Sequence, residues 1–326
     1  MTASFCVFTR IGDQPMSLCP PFGLRTVLTS GMLVLALAGC KDPKPKTVAQ
    51  IPIPEAAPIP QGPPVGTLEW AVKGEWRSEK DKARNPWRHP IKTLEFCGLA
   101  PGQKVLEIWP GGGWYTQILA PWIKENGGQY RAALLDPATS DQARMLSQSF
   151  KRAFGDEDRY GPIKTSVFSA TSEKLAPDNS MDLVLTFRNV HSWMAQGIAT
   201  KAFADFYAAL KPGGVLCVVE HRLPDAREQD PLASSGYVQR SLVKDLAKDA
   251  GFVFEAQSDI NANPKDTADH PFGVWTLPPV RRSAPPGETP DPAFNRQHFD
   301  DIGESDRMTL RFRKPAPQKT ESPDAP

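Results

Sequence analysis

The sequence predicts a doubly wound α/β domain built on a mostly parallel sheet of seven strands. Three observations support this class. Short apolar segments typical of buried strands alternate with segments of helical periodicity. A glycine-rich turn at residues 110–113 follows the first strand segment, and two further strand segments come late in the chain. In such a fold we expect the ligand crevice at the carboxyl ends of the strands.

The first strand lies between two predicted helices. Pro90 suits the first turn of a helix over residues 91–99. Residues 105–109 have the sequence VLEIW and form the first buried strand. After the glycine-rich turn, residues 114–125 form a helix that Pro121 interrupts or kinks, because proline cannot donate a backbone hydrogen bond.

Six more strands and two more helices complete the pattern. The strands are residues 131–136, 163–169, 181–187, 214–220, 252–258 and 308–313. The helices follow from apolar residues that share a face, Phe203, Phe206 and Leu210 in one and Val238, Leu242 and Leu246 in the other. Strand and helix therefore alternate along the whole middle of the chain.

The proline distribution separates this domain from its flanks. Eight of the 34 prolines lie in residues 41–66 and ten in residues 278–326, whereas residues 67–277 contain the ordinary share. All eight tryptophans fall in the middle stretch. The predicted organisation is a proline-rich tether at 41–66, a single domain at 67–314 with an irregular loop at 278–307, and a disordered tail at 315–326.

Residues 1–40 predict an exported protein. A mostly apolar stretch, residues 26–38, follows Arg25 and is too short to span a bilayer, as in a signal peptide. It ends in LAGC at Cys40, which resembles the lipobox of bacterial lipoproteins, where the cysteine is lipidated and becomes the mature N-terminus. By the same resemblance, Lys41 implies the outer membrane. We expect a periplasmic lipoprotein held to the membrane through Cys40 alone. The alternatives are an ordinary cleaved signal and a buried apolar helix.

Charge and cysteine content exclude several function classes. The chain has 38 basic and 37 acidic residues, so no nucleic-acid partner is predicted. The five cysteines contain no Cys-x-x-Cys pair and no Cys/His spacing typical of zinc. Neither a disulfide framework nor a metal site is therefore predicted, and Cys97 and Cys217 are expected to act as small core hydrophobes.

Four segments, in order and spacing, together resemble class I S-adenosylmethionine-dependent methyltransferases. They are VLEIWPGGGW (105–114), Asp136 at the end of the second strand, SATSEKLAPDNSMDLVL (169–185) and LKPGGVLCVVE (210–220). A closer resemblance, to exported bacterial predicted methyltransferases, rests on RHPIKTLEF (88–96), EIWPGGGWYTQILAP (107–121) and DHPFGVWTLPP (269–279). The resemblance covers about residues 75–314. It implies a Rossmann-like fold, S-adenosylmethionine as cofactor and a small organic molecule as methyl acceptor.

The resemblance places the cofactor contacts near the strand ends. Gly111 and Gly113 can adopt positive φ and let the backbone approach the donor closely. Asp136 would accept hydrogen bonds from the ribose hydroxyls, and Glu107 would lie near the methionine portion. The other implied contacts are Trp109, Trp114, Ser169, Ala170 and Arg188. The two indoles would offer aromatic faces to the sulfonium.

Two positions depart from the family pattern. Trp109 stands where the family usually has its first glycine, and Pro110 follows it. A bulky indole there blocks the usual donor position unless the side chain turns away. Ser169 replaces the usual acidic residue after the third strand, and its hydroxyl accepts a hydrogen bond more weakly than a carboxylate does.

The general-base candidates are histidines at strand ends. His191 follows the fourth strand and His221 the fifth, and imidazole titrates near neutral pH. A hydrogen-bonding role within a loop is the alternative for each. For His270, a loop over the crevice and plain packing are both open. For Tyr237, contact with an acceptor is the alternative to packing at a helix start, which is favoured.

Three functions remain open. The first is a lipid-anchored methyltransferase, against which export counts, because S-adenosylmethionine is made in the cytoplasm. The second is a non-catalytic envelope binding protein with a degenerate methyltransferase fold, which Trp109, Pro110 and Ser169 favour. The third is another enzyme chemistry that uses His191 and His221.

Overall fold

A computed structural model describes residues 62–285 and 287–316 of the chain. The predicted signal peptide with Cys40, residues 41–61 of the tether and residues 317–326 of the tail lie outside the described residues. Among the helices of the described ranges, none combines the length and the apolar character needed to cross a membrane.

One sheet organises the described chain. Its strands are β1 (Lys104–Ile108), β2 (Gln129–Leu135), β3 (Lys164–Phe168), β4 (Met181–Phe187), β5 (Leu210–Leu223), β6 (Val238–Gln239), β7 (Val253–Ser258) and β8 (Arg307–Arg313). Their order is β3-β2-β1-β4-β5-β8-β7, and the two-residue β6 pairs with β5. Strands β1 to β5 pair in parallel, whereas β8 runs antiparallel to both β5 and β7. The predicted Rossmann-like, mostly parallel sheet of seven strands is confirmed, with β6 as a small addition.

The helices cover both faces of this sheet. They are α1 (Leu68–Lys73), α2 (Glu79–Lys82), α3 (Asn85–Arg88), α4 (Pro90–Phe96), α5 (Thr116–Glu125), α6 (Asp141–Ala153), α7 (Glu157–Tyr160), α8 (Val190–Ala195), α9 (Ala199–Ala209), α10 (Arg240–Asp249) and α11 (Arg296–Ile302). A short 3₁₀ helix spans Gly273–Thr276. Helix α11 lies within the segment that the sequence predicted to be irregular, where Asn295 caps it by accepting from the backbone N–H of His298.

Alternate residues of the strands point into two apolar clusters, as the period of a strand requires. Leu106 and Ile108 of β1 join the cluster that contains residues of α8, α9 and α10. Val105 joins the opposite cluster, which contains residues of α1, α4 and α5. Both faces are buried, which explains why the parallel strands are almost continuously apolar.

Helix α5 continues through Pro121, so the predicted interruption is wrong. Pro121 has no N–H to donate to the carbonyl of Gln117, four residues earlier. The indole Nε1 of Trp76 donates to that carbonyl instead, at 2.7 Å. The aromatic side chain thus satisfies the acceptor that proline leaves free.

Cys97 and Cys217 form a disulfide, with their Cα atoms 5.3 Å apart. The expectation that they act as separate core residues without cysteine chemistry is therefore wrong, although both are fully buried. The bond joins the end of α4 to β5 across 120 residues of sequence. Only the packing of α4 against the sheet brings the two residues together.

The strand order reverses beside β1. The chain runs from β1 outward to β2 and β3, then returns to place β4 and β5 on the other side. A crevice forms at such a reversal, at the carboxyl ends of the two central strands. The loops that follow β1 and β4 therefore define the candidate site.

Candidate functional site

The backbone after β1 and β4 is strained at residues that carry side chains. Trp109 has φ 43° and Arg188 has φ 63°, in the left-handed region. Such conformations cost on the order of 1–3 kcal/mol and cluster at functional sites. The left-handed φ of Trp109 also explains why a glycine suits this position.

Two glycines of the turn have different roles. Gly113 has φ 80°, and a Cβ there would clash with the Phe154 ring. Gly111 has φ 58°, but a Cβ on it would face open space. Gly113 is therefore required for packing, whereas Gly111 leaves the backbone accessible to a ligand.

The Trp109 side chain packs into the core beside the crevice. Its Nε1 donates to the Phe168 carbonyl at 3.1 Å. Its ring lies 5.5 Å from the Phe168 ring and 5.9 Å from the Trp193 ring, between centroids. The indole is therefore part of the core and leaves free space on both sides of the glycine turn.

The larger of the two cavities beside the turn has a volume of about 540 Å³. It extends from Trp109 and Gly111 to the start of α6, and Asn189 and Ser192 close its other side. A volume of this size is within the range of small-molecule sites.

Asp136 and Ser169 lie side by side after β2 and β3. The Ser169 hydroxyl donates to Asp136 Oδ2 at 3.1 Å, and Asp136 Oδ1 accepts from the N–H of Ala138. Asp136 is partly exposed and stands between Leu135 and Thr139, both of which line the larger cavity. The structure thus brings together two of the predicted cofactor contacts. Ala170 follows them on an exposed turn.

A smaller cavity of about 240 Å³ lies on the other side of the glycine turn. Glu107 lines it together with Trp109, Gly111 and Arg188, all implied by the resemblance as cofactor contacts. Its remaining walls are Asp81, Arg84, Arg88, Pro110, Gly112, Trp114, Tyr115, Phe187 and Asn189. Trp109, Gly111 and Asn189 also line the larger cavity, so the two cavities adjoin.

Glu107 is a buried carboxyl group at the base of the smaller cavity. It accepts hydrogen bonds from the hydroxyl groups of Thr116 and Tyr130. Burial raises its pKa to about 7, and these two hydrogen bonds only partly oppose the effect. A cation in the cavity would favour the ionised form.

The Trp114 ring already has cationic neighbours. The guanidinium groups of Arg77 and Arg88 lie 4.9 and 4.6 Å from its centroid. Its Nε1 donates to the Asp81 carbonyl at 3.0 Å. Both indoles that the sequence offered to a sulfonium thus make contacts within the protein.

His191 and His221 lie at the ends of β4 and β5 but line neither cavity beside the turn. Both are at least nine-tenths buried. His191 Nδ1 is 3.0 Å from Glu220 Oε1, and His221 Nδ1 contacts Ser305 Oγ. Burial, followed by the charges of His191 and Arg188, lowers the pKa of His221 well below its usual value. His221 is therefore neutral at pH 7.

His191, Glu220 and His221 also have the spacing of a metal-binding group, which the sequence did not predict. One ligand atom from each lies within 4.8 Å of the others. However, both Glu220 oxygens already accept backbone N–H groups, from Val190 and His221. The carboxylate therefore fits the role of a hydrogen-bond acceptor better than that of a metal ligand.

Tyr237 and His270 both contact Asp266. The Tyr237 hydroxyl donates to it at 3.0 Å, and His270 Nε2 lies 2.8 Å from its Oδ1. The Asp266 carboxylate also accepts the N–H of Asp306. These contacts join the segment before the 3₁₀ helix to the residues that precede β6 and β8, and they agree with the packing interpretation.

Sequence reasoning missed a group of arginines around Glu304. Arg84, Arg88 and Arg307 each donate to this buried carboxylate, at 2.7 to 3.0 Å. Burial opposes ionisation, but the arginine charges prevail and lower the pKa of Glu304 to about 2. The segment RNPWR, residues 84–88, was the available signal, because two arginines four apart lie on one side of a helical turn.

Comparison with known proteins gives likeness only at the level of fold. No protein-family model matches the chain, and no curated protein matches it. Among solved structures, the [4+2]-cyclase SpnF has 17% identity and a TM-score of 0.48 over 75% of this chain and 85% of its own. A putative sarcosine dimethylglycine methyltransferase from Galdieria sulphuraria has 18% identity and a TM-score of 0.47 over 72% and 85%.

A third solved structure is a SAM-dependent methyltransferase from Aquifex aeolicus, with 18% identity and a TM-score of 0.44 over 55% of this chain and 87% of its own. The strand order and pairing of the sheet itself define the class as a Rossmann-like doubly wound α/β domain. The function has to be argued from the site.

Proposed function

We propose that this protein binds S-adenosylmethionine in the crevice beside β1 and β4 and transfers its methyl group to a small organic acceptor. One observation carries the proposal. The Trp109 indole is anchored in the core by its bond to Phe168, so a cavity of about 540 Å³ remains beside the exposed backbone of Gly111.

The residues around the larger cavity suit an adenosyl group. The Asp136 carboxylate keeps free lone pairs beside those used by Ser169 and Ala138, and it can accept the two hydroxyls of a ribose. Leu135 and Leu146 supply apolar walls for a purine. Since methyl transfer from a sulfonium is an in-line displacement, holding donor and acceptor at near-attack distance is the protein's main contribution.

The wall of the smaller cavity at Glu107 suits the sulfonium of the donor. Glu107 lies in its wall, and its ionised form attracts a positive charge. With a pKa of about 7, the carboxyl can lose its proton when a cation enters. The methyl acceptor would enter from this side of the glycine turn, next to the sulfonium.

Calorimetric titration with S-adenosylhomocysteine tests the donor site. We expect saturable binding by the wild-type protein. Asp136→Ala should weaken it by roughly 1–3 kcal/mol, because the charged hydrogen bonds to the ribose are lost. Asp141→Ala, at the exposed start of α6, is the matched control and should leave the affinity unchanged. Absence of heat at millimolar ligand would refute the donor assignment.

A non-catalytic binding protein is the second candidate. It is favoured because neither His191 nor His221 is among the residues that line the two cavities, so neither predicted general base lies in the space proposed for an acceptor. This alternative predicts binding of S-adenosylhomocysteine without its production from S-adenosylmethionine when small molecules of the cell envelope are added.

We also propose that the protein is exported and lipid-anchored. The LAGC sequence ending at Cys40 motivates this, and the Cys97–Cys217 disulfide supports it, because structural disulfides persist in oxidising compartments. Cys40→Ser should move the protein from the membrane fraction to the soluble fraction, as measured by fractionation and immunoblotting. The same substitution at Cys19 is the control. Membrane retention of the Cys40 variant would contradict the anchor.

A further inference from the structure

We propose that the smaller cavity is an oxyanion site, where Arg84, Arg88 and Arg188 bind a phosphate or carboxylate group of the acceptor. This inference extends the proposed function and rests on it, because it takes the ligand of the larger cavity to be the methyl donor. It adds the chemical class of the acceptor: a small molecule that carries a negative charge at pH 7.

The first supporting observation is that two buried guanidinium nitrogens have no hydrogen-bond acceptor in the part of the chain that the structure describes. Nη2 of Arg84 and Nη2 of Arg88 are buried without a hydrogen-bond partner among the described residues. The Arg88 side chain is only 3% exposed. Buried polar groups are normally paired, so these two nitrogens retain donor capacity that an added acceptor could use.

Arg188 adds a third guanidinium group to the lining of this cavity. It follows β4, and its guanidinium group has no hydrogen-bond or ion-pair partner among the described residues. Burial lowers its pKa, and the charges of Glu304, Arg307 and Arg84 also affect it. Burial lowers the pKa of Arg88 well below its usual value, and the charge of Arg188 is the next largest cause. These cations are therefore close enough to repel one another, and an anion between them would relieve the repulsion.

The protein's own carboxylates are already committed. Glu304 accepts from Arg84, Arg88 and Arg307, so one carboxylate serves three guanidinium groups. In the cavity wall, Asp81 accepts from Gln117 Nε2. Glu107 accepts two hydroxyl groups, and its pKa of about 7 leaves it only partly charged at neutral pH.

Guanidinium groups are suited to oxyanions. Each presents a planar set of N–H donors that matches two oxygens of a phosphate or carboxylate. The cavity volume of about 240 Å³ accommodates such a group with part of its carbon skeleton. Because Trp109, Gly111 and Asn189 line both cavities, a ligand held here would adjoin a ligand in the larger cavity.

The test uses inorganic phosphate and acetate as probes of the purified protein, followed by thermal unfolding and calorimetry. We expect phosphate, acetate or both to bind saturably at millimolar concentration and to raise the Tm. Arg188→Gln should weaken anion binding at least tenfold, because a charged hydrogen-bond donor is lost. This variant should fold, since the Arg188 side chain holds no described partner. Arg144→Gln, on the exposed face of α6, is the matched control and should bind as the wild type does.

Adenosine derivatives separate this inference from the donor assignment. The resemblance implied Arg188 as a donor contact, whereas an anion that belongs to the acceptor predicts that Arg188→Gln binds S-adenosylhomocysteine within twofold of the wild type. If that affinity falls tenfold while 5′-methylthioadenosine, which lacks the amino-acid portion, binds normally, the site holds the donor's own carboxylate and the proposal is wrong. Anion binding that is absent, or equal in Arg188→Gln, also overturns it. Anion binding lost in the variant, without any nucleoside binding, would support the anion site and refute the donor.

Discussion

Replacing Cys97 and Cys217 together by alanine should lower the free energy of unfolding by about 5 kcal/mol. The disulfide closes a loop of 120 residues, and cross-linking a loop of this length restricts the unfolded chain by roughly that amount. Alanine avoids placing a hydroxyl in a fully buried site. Unfolding in guanidinium chloride, without reductant, measures the difference.

Reductant supplies the control for this prediction. Dithiothreitol added under unfolding conditions should reduce the stability of the wild type toward that of the double variant and leave the variant itself unchanged. Equal stability of the two proteins without reductant would contradict a disulfide between α4 and β5.

The free energy of unfolding of Glu107→Gln, relative to that of the wild type, should increase as the pH rises. The unfolded carboxyl titrates near 4.5 and the folded one near 7. Between these values the folded protein holds a proton that the unfolded chain has released, so wild-type stability falls as the pH rises through this window. Glutamine keeps an acceptor for Thr116 and Tyr130 but does not titrate.

The difference in the free energy of unfolding between the two proteins should change by roughly 2–3 kcal/mol between pH 5 and pH 8, in favour of the variant. Urea unfolding at the two pH values measures it. Glu79→Gln is the control, because that side chain is 89% exposed, and it should show no such growth. If the Glu107 variant and the wild type keep a constant difference, the carboxyl is not held protonated by burial.

The strands could be predicted because their apolar segments need no long-range information. Segment 181–187 was predicted with the bounds that β4 has, and 163–169 exceeds β3 by one residue at each end. β5 begins four residues earlier than predicted, at Leu210, although Pro212 and Gly213 indicated a turn. Its pairing with β4 shifts register between Met181 and Leu183, which accommodates the extra residues.

Some helices were missed because their sequences are polar. Most residues of helix α6 are exposed, and it buries Ala143, Ser147 and Phe150. Only one of these three is a large apolar residue, so the buried face shows no clear apolar period. Its clearest signal was local: Ser140 caps the helix by accepting the N–H of Ala143. Helices α2 and α3 have four residues each, which is too short to show a period.

The resemblance indicated site residues at the ends of several strands. Glu107 lies in β1, Trp109 and Gly111 lie in the turn after it, and Arg188 follows β4. The group of Arg84, Arg88 and Glu304 spans more than 200 residues and exists only because α3 lies beside the start of β8. The orientation of the Trp109 indole could not be predicted either, because it depends on packing against Phe168 and Trp193, which are distant in sequence.

A crystal structure of the protein with S-adenosylhomocysteine tests the central claim most directly. We predict the adenosine in the cavity of about 540 Å³ beside Gly111, with the ribose hydroxyls within hydrogen-bonding distance of Asp136 and the Trp109 Nε1 still bonded to the Phe168 carbonyl. A nucleoside bound elsewhere, or one that enters only after the Trp109 ring leaves the core, would contradict the account.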